Sequence, residues 1–353
     1  GIRSCVQQCD IKCVISSEKV IRKLKLDPGV PMLALEDIAK DPSFMEKMSA
    51  AFLAYLCPRG ILLKKLSQGN PPSLDDIATI IFSSGSTGEP KGAMLSHYNI
   101  VSNMMQLNQA YDFKRDDRFL GVLPFFHSLG FTATLIGPAV IGVGAAYHPL
   151  PTDTRSIGKL IPHYKLTLLL ATPTFLQLYL RGIKPEQMQS INLVVVGAEK
   201  LPERLAVAFE EKFGLQPLEA YGCTECSPGV AVNTPSLITD ELSQTGNRPG
   251  TIGRALPGMS IKIVDPETEE PCGFDEPGLM WVRGPNIMQG YLGKESLTAE
   301  VLVDGWYNTG DIASVDEEGF ITITDRLSRF SKIGGEMVPH IKIEELLHNI
   351  AEL

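Results

Sequence analysis

Residues 82–92, Phe-Ser-Ser-Gly-Ser-Thr-Gly-Glu-Pro-Lys-Gly, constrain this chain more than any other stretch. They hold hydroxyls, glycines and one lysine, and almost nothing that packs. Glycine lets backbone N–H groups turn inward and approach a ligand closely. Ser84, Ser86 and Thr87 add hydroxyl donors and Lys91 adds a point charge. Together they make a cradle for phosphate oxygens. Before the loop, Ile77 to Phe82 is short, β-branched and apolar, which predicts a buried strand. After it, His97 to Ala110 carries Ile100, Val101, Met104 and Leu107 at helical spacing, which predicts a helix. The expected wiring is strand, glycine-rich turn, helix. A Walker A loop is excluded, because GxxxxGK[ST] is absent and Lys91 follows a proline. A surface linker fits poorly with a stretch held between a buried strand and a helix.

With 353 residues the chain has room for a large core and more than one subdomain. The formal charge is −9 with no long basic run, which disfavours a nucleic-acid partner. The longest apolar run, Ala133 to Ala146, is broken by Gly137, Pro138, Gly142 and Gly144 and is too short to span a bilayer. Ala50 to Leu66, with Arg59, Lys64 and Lys65 nearby, admits an interfacial amphipathic reading. A helix folded on the core and interrupted at Pro58 is the favoured expectation. Seven cysteines, an odd number in a chain this long, point to reduced thiols and a cytoplasmic setting. Cys5, Cys9 and Cys13 are evenly spaced, but no histidine or fourth cysteine lies close, so they are read as thiols and not as a metal site. Gly1 is not a methionine and Leu353 falls inside an apparent helix, so both ends are expected to be cut.

Along the chain, residues 1–40 alternate short apolar runs (Lys12 to Ile15, Met32 to Leu35) with a basic helix near Lys19 to Leu26. Between 77 and 235, strands are expected at Phe119–Val122, Leu166–Leu170 and Leu193–Val196, and helices near Thr174–Arg181 and Pro202–Phe213. Strands alternating with helices predict a parallel sheet covered on both faces. After about residue 245, glycines and prolines punctuate short β-rich runs such as Ser260–Val264 and Leu279–Arg283, which predicts an antiparallel β subdomain. The expected fold class is α/β: layered parallel-sheet subdomains over 1–244, a β-rich subdomain over 245–324, and over 325–353 a hinge with the start of a small C-terminal domain.

Four motifs in a fixed order carry a resemblance: Ser83–Gly92, Tyr221-Gly-Cys-Thr-Glu225, Tyr307-Asn-Thr-Gly-Asp311, and Asp325-Arg326 with Gly334-Gly335. On these the chain resembles the adenylate-forming superfamily of acyl-CoA synthetases, luciferases and peptide-synthetase adenylation domains. Gly197-Ala-Glu-Lys-Leu201 and the run from Asp325 to Val338 look most like acyl-[acyl-carrier-protein] synthetases, including the synthetase half of the bifunctional acyltransferase enzymes. The resemblance implies ATP-dependent activation of a fatty acid to acyl-AMP with release of pyrophosphate. The acyl group then passes to a phosphopantetheine thiol, on acyl carrier protein by preference or on coenzyme A. Such chemistry must hold two anions together and spread charge in the transition state.

The resemblance implies the following roles. Ser83, Ser84, Gly85, Ser86, Thr87, Gly88 and Lys91 hold the β- and γ-phosphates, with Thr87 and Lys91 also catalytic. Glu225 binds Mg²⁺, since one carboxylate with phosphate oxygens and waters is a normal Mg²⁺ shell. Thr224 donates to a phosphate oxygen. Asp311 accepts the ribose hydroxyls, and Arg326 supports the sugar or the α-phosphate. Gly197, Ala198 and Glu199 follow a strand, at the carboxyl end where α/β proteins bind ligands, and line the adenine and acyl sites with Tyr221 and Gly222. Cys223 lies in the same nucleotide-binding motif and, despite the Cys223-Thr-Glu-Cys226 spacing, is read as packing. His127, in Pro124-Phe-Phe-His-Ser128, is the candidate gate or neighbour of the acyl carboxylate. No acidic residue falls between Leu123 and Gly144, which fits an uncharged acyl tail better than an amino acid.

The superfamily closes its site with a lysine late in a C-terminal domain. Lys332 and Lys342 lie too early to match it, so this chain alone is expected to adenylate poorly. The hinge position is Arg329. A long-chain acyl-CoA synthetase and a non-catalytic nucleotide- or acyl-binding module stand as alternatives, and peripheral attachment to the cytoplasmic face of the inner membrane, through the parent protein, is left open.

Overall fold

In the computed structural model the described residues are 2–25, 27–38, 42–67, 73–83, 90–238, 243–327, 330–333 and 336–339. They fall into two compact units: Gly1–His97 with Tyr291–Glu295, and Tyr98–Gly290 with Ser296–Leu353. Among the described residues, no helix is long and apolar enough to cross a membrane.

In the first unit, Val14–Ser16 pairs in parallel with Met32–Ala34, and the helix Glu18–Leu24 lies between them in sequence. Ser17 caps that helix by accepting from the Val20 N–H. The apolar stretch expected near 50–66 forms two helices, Phe44–Tyr55 and Arg59–Leu66, broken at Pro58 as anticipated. A reciprocal capping box between Ser43 and Glu46 starts the first of them. The expectation that this segment folds onto the core is wrong: neither helix buries a residue, and Phe44, Met45, Met48, Phe52 and Tyr55 are exposed.

The glycine-rich loop also differs from its expected setting. The strand before it runs Ile77–Ser83, but Lys91–Ser96 is a second strand paired antiparallel with the first. The loop therefore joins the two strands of a hairpin, and the helix His97–Tyr111 starts only after the second strand. The sequence hid this strand because Lys91-Gly-Ala-Met-Leu-Ser96 has neither β-branched residues nor a clean alternation, and its burial follows a different pattern from either.

The second unit is built on a seven-stranded sheet ordered Arg254–Ala255, Gly229–Val232, Pro217–Gly222, Leu193–Val196, Leu168–Ala171, Arg118–Gly121, Gly144–Tyr147. The last five are parallel and the first two add antiparallel. Alternate side chains enter two cores. Leu120, Leu169, Ala171, Val194 and Val196 point into one, with Ile157, Ile161, Leu176, Tyr179 and Phe209 from the helices Thr154–Tyr164, Pro173–Gly182 and Glu203–Phe213. Phe119, Leu168 and Leu170 point into the other, with Met104 and Ala133. Each fully buried Leu, Ile or Phe removes apolar area worth about 1.5–3 kcal/mol, so a sheet buried on both faces is the stable arrangement. The apolar run 133–146 resolves into a π-helix at Gly130–Ile136, a helix at Gly137–Ile141 and the edge strand Gly144–Tyr147.

A second, antiparallel sheet orders Ser260–Val264, Gly278–Arg283, Trp306–Val315 and Leu302–Val303, with Ile321–Arg326 also paired to Trp306–Val315. The two sheets of this unit are fastened together. Ile252 N–H donates to Ile321 C=O (2.8 Å) and Ile321 N–H to Gly253 C=O (2.9 Å). Arg248 pairs with Asp316 and Glu318, and the guanidinium groups of Arg248 and Arg254 lie 4.3 and 4.0 Å from the Phe320 ring centroid.

Candidate functional site

The carboxyl ends of the parallel strands gather the predicted side chains of the second unit. Gly197 follows the strand Leu193–Val196, and its N–H donates to Ala171 C=O (3.2 Å). A β-carbon there would lie 3.0 Å from the Ala220 carbonyl oxygen, so glycine lets this turn lie close to the neighbouring strand without pushing it back. Ala198 takes φ +71°, a left-handed conformation that L-residues avoid. Glu199 accepts a hydrogen bond from Thr174 Oγ1 (2.8 Å).

The adjacent strand delivers Tyr221. Its hydroxyl donates to Asp311 Oδ2, and Arg326 Nε lies 3.2 Å from Asp311 Oδ1. Asp311 and Arg326 are register partners in the second sheet, so the ion pair follows from strand pairing. Asp311 is buried while the Arg326 side chain is exposed. Burial raises the Asp311 pKa above the usual carboxylate value, opposed by the Tyr221 hydroxyl and the Arg326 charge. Burial, with the Asp311 charge adding to it, lifts the Tyr221 phenol well above its ordinary value, so it stays a donor. A carboxylate has roughly four acceptor positions. Tyr221 takes one on Oδ2 and Arg326 one on Oδ1, leaving each oxygen able to accept from one of two neighbouring hydroxyls.

After Tyr221 the chain passes Gly222, where a β-carbon would lie 2.1 Å from the Pro228 carbonyl oxygen, and turns tightly over Thr224–Cys226. Thr224 Oγ1 lies 3.4 Å from Ser128 Oγ. Glu225 is buried, and its carbonyl accepts from the Met288 N–H (2.7 Å). Cys223 Sγ donates to Cys226 Sγ across 3.3 Å. That bond, then burial, raises the Cys223 pKa well above the ordinary thiol value and keeps it protonated. His127 is exposed by area, yet the protein around its ring desolvates the imidazolium and lowers its pKa. Its backbone N–H donates to Pro124 C=O (3.1 Å), and its Nδ1 accepts from Leu129 N–H (3.4 Å).

Tyr221, Asp311 and Arg326 are therefore one hydrogen-bonded cluster, and Thr224 is joined to Ser128 beside His127. Ser83 and Lys91 belong to the first unit and face each other across the hairpin that carries the loop. Lys91 Nζ stands 5.2 Å from the Tyr291 ring centroid. Ser84, Gly85, Ser86, Thr87 and Gly88 lie outside the described residues, as do the hinge residue Arg329, Gly334 and Gly335, and the helix expected from Ile343. Ser128, Asn103 and Asn286 were missed by sequence reasoning; each acts on the turn at 224–229 from far along the chain, with no local pattern to mark it.

Among the described residues, no group of three or more His, Cys, Asp or Glu side chains is placed to hold a metal by itself. A Mg²⁺ ion bound mainly by phosphate oxygens and water needs only one or two protein carboxylates, and Glu225 on its tight turn fits that donor set.

The pattern of a family described as AMP-binding enzyme matches residues 1–292. A long-chain-fatty-acid–CoA ligase of Bacillus subtilis is 35% identical over 284 residues, 78% of this chain and 49% of that protein. A probable 4-coumarate–CoA ligase of Dictyostelium discoideum is 34% identical over 279 residues, 77% of this chain and 49% of that protein. The 353 residues thus span about half the length of the curated relatives they match. Among solved structures, ATP-bound MatB from Rhodopseudomonas palustris superposes with a TM-score of 0.77 at 26% identity, covering 98% of this chain and 65% of that one. The O-succinylbenzoate coenzyme A synthetase MenE of Bacillus subtilis, in complex with ATP and magnesium, superposes with a TM-score of 0.77 at 22% identity, covering 98% and 66%. This second likeness speaks for the fold.

Proposed function

The chain belongs to the AMP-binding enzyme family, whose members include the acyl- and aryl-CoA ligases it resembles, and we propose that it activates a fatty acid with ATP. A carboxylate oxygen attacks the α-phosphorus, pyrophosphate leaves, and the acyl adenylate then gives its acyl group to a phosphopantetheine thiol with AMP as leaving group. The observation that carries this reading is the Tyr221–Asp311–Arg326 cluster beside the Thr224–Glu225 turn. Asp311, oriented by the phenol and the guanidinium, accepts from the two ribose hydroxyls. Gly197, Ala198 and Glu199 line the adenine and acyl sites with Tyr221, Gly222 and Cys223. Thr224 donates to a phosphate oxygen and Glu225 holds Mg²⁺, which supplies charge neutralisation on the triphosphate when bound. Ser83 to Gly88 and Lys91 contact the β- and γ-phosphates. His127, whose pKa is lowered by desolvation, meets the acyl carboxylate.

The absence of acidic residues between Leu123 and Gly144 supports an apolar acyl tail, as does the likeness to a fatty-acid ligase. For the thiol acceptor, the relatives are CoA ligases and support coenzyme A. The runs 197–201 and 325–338 support acyl carrier protein by resemblance, and both acceptors present the same pantetheine thiol. Calorimetric titration of Mg·ATP, with ATP–pyrophosphate exchange run with and without palmitate, tests the activation step. Binding together with palmitate-dependent exchange supports it; no Mg·ATP binding refutes it. Coenzyme A and acyl carrier protein, offered separately to preformed palmitoyl-AMP, decide the acceptor.

A further inference from the structure

The turn that carries Thr224 and Glu225 does not hold its shape alone. Ser227, just past it, takes φ +67°, a conformation that a residue with a β-carbon avoids. Its own backbone closes it through Cys226 N–H to Cys223 C=O (3.0 Å), Ser227 N–H to Thr224 C=O (3.3 Å) and Cys223 N–H to Pro228 C=O (3.0 Å). Two asparagines, each 0% exposed, add side-chain holds. Asn286 Nδ2 donates to Cys226 C=O (2.6 Å) and to Gly229 C=O (2.8 Å). Asn103, on the helix His97–Tyr111, grips Gly229 from the other side: its Nδ2 donates to Gly229 C=O (2.9 Å), and its Oδ1 accepts from Gly229 N–H (3.0 Å). Asn103 Nδ2 also donates to Gln106 Oε1 (3.2 Å). The loop bearing Asn286 is anchored in turn, because Asn99 Nδ2 donates to Pro285 C=O (2.8 Å) and Met288 N–H to Glu225 C=O (2.7 Å). Two carbonyls facing one side-chain nitrogen fix the orientation of the Asn286 amide: turned over, its oxygen would face both of them.

We infer that Asn286 and Asn103 are positioning residues that hold the Thr224–Glu225 turn for Mg·ATP. They touch no reacting atom. They clamp the backbone on both sides of Ser227, at Cys226 and at Gly229, so that the Glu225 side chain meets its ligand already placed. The anchoring stands on this geometry alone; its consequence for Mg·ATP rests on the proposed function.

Asn286→Leu keeps the volume and removes both donors, and Asn286→Ser retains a single hydroxyl donor. The control is Asn233→Ala. Asn233 is equally buried and also holds two carbonyls, those of Glu219 (3.2 Å) and Thr251 (2.7 Å), but it does not touch the turn. Two readouts are taken: amide hydrogen exchange over residues 224–229, and calorimetric affinity for ATP with and without Mg²⁺. Asn286→Leu is expected to speed exchange across 224–229 by about tenfold or more. It should weaken Mg·ATP binding by about 10–100-fold and metal-free ATP binding by a smaller factor, because Thr224 is carried on the same turn. Asn286→Ser should fall between Asn286→Leu and wild type, and it decides the matter if Asn286→Leu does not fold. Asn233→Ala should lower the melting temperature and move neither readout. A folded Asn286 variant with wild-type exchange and Mg·ATP affinity overturns the inference. So does an Asn233→Ala protein that shifts the Mg²⁺ response equally, since the amide would then be one structural support among others. If the wild-type chain binds no Mg·ATP, the proposed function falls and the exchange rates alone decide whether these asparagines hold the turn.

Discussion

Removing one phenol oxygen tests the physics of the proposed sugar site directly. In the native fold the Tyr221 hydroxyl donates to a carboxylate that is 6% exposed, so water replaces little of the bond if it is lost. A hydrogen bond to a charged group in such a place is worth about 1.5–3 kcal/mol. Tyr221→Phe is therefore expected to lower stability by about 2 kcal/mol at neutral pH, roughly a thirtyfold change in the folded fraction's odds. The dependence on pH gives the sharper test. Burial holds the folded Asp311 pKa above its unfolded value, so ionising Asp311 costs stability as pH rises through that folded pKa. The phenol moderates the cost. Without it the folded pKa moves higher still, so both proteins begin to lose stability at the unfolded value but the variant goes on losing it to a higher pH. The gap between the two proteins should be small where Asp311 is protonated, and should widen to its full value once pH has passed the folded pKa. Urea unfolding followed by far-ultraviolet circular dichroism from pH 4 to pH 8 (roughly the span from the carboxylate range to neutrality) measures it. A gap that does not change with pH would refute the assigned charge-assisted bond, as would a neutral-pH loss under about 0.5 kcal/mol.

Other expectations follow from the same geometry. Glu225→Gln should cut fatty-acid-dependent ATP–pyrophosphate exchange by about 100-fold or more while leaving the unfolding midpoint near wild type; retained exchange would remove Glu225 from the metal role. Gly222→Ala places a β-carbon 2.1 Å from the Pro228 oxygen and should cost about 1–3 kcal/mol in urea unfolding, with loss of Mg·ATP binding. The His127 pKa is lowered by desolvation, so stability from its neutral form is present above the unfolded value near 6.5 and is lost as pH falls through the folded pKa. Proton NMR of the His127 ring should give a titration midpoint below the ordinary histidine value, and a midpoint at or above that value would contradict the desolvation of the ring.

Much of the second unit was legible because its signals are local. Leu193–Val196 and Ser260–Val264 form strands with the expected bounds, since short β-branched runs between glycine and proline breaks leave the backbone few alternatives. The helix ends moved by a residue or so, as Thr172 and Pro173 at the start of Pro173–Gly182 show. Lys91–Ser96 was missed because a strand poor in β-branched residues owes its existence to its partner Ile77–Ser83, and that pairing is not written in the six residues themselves. The outward-facing helix Phe44–Tyr55 was misjudged because hydrophobicity predicts that apolar side chains seek cover but not that they find it. At the site, resemblance named Tyr221, Asp311 and Arg326. It did not reveal that they are bonded to one another, because 90 residues separate Tyr221 from Asp311. The two asparagines are invisible for the same reason: an amide that satisfies carbonyls 60 or 126 residues away leaves no periodic trace.

Phe320 lies against two guanidinium groups, and this bears on how firmly the two layers keep their register. Sliding the antiparallel layer past the parallel one would strip both cations from the ring, part Arg248 from two carboxylates and break the paired amides of Ile252 and Ile321 together. No single rupture of that kind relieves the others. The phenol of one layer and the carboxylate it meets in the other consequently keep one fixed spacing. Under the proposed function a docking sugar would find that pair already set, and the loss of freedom would be borne by the visitor rather than by the frame.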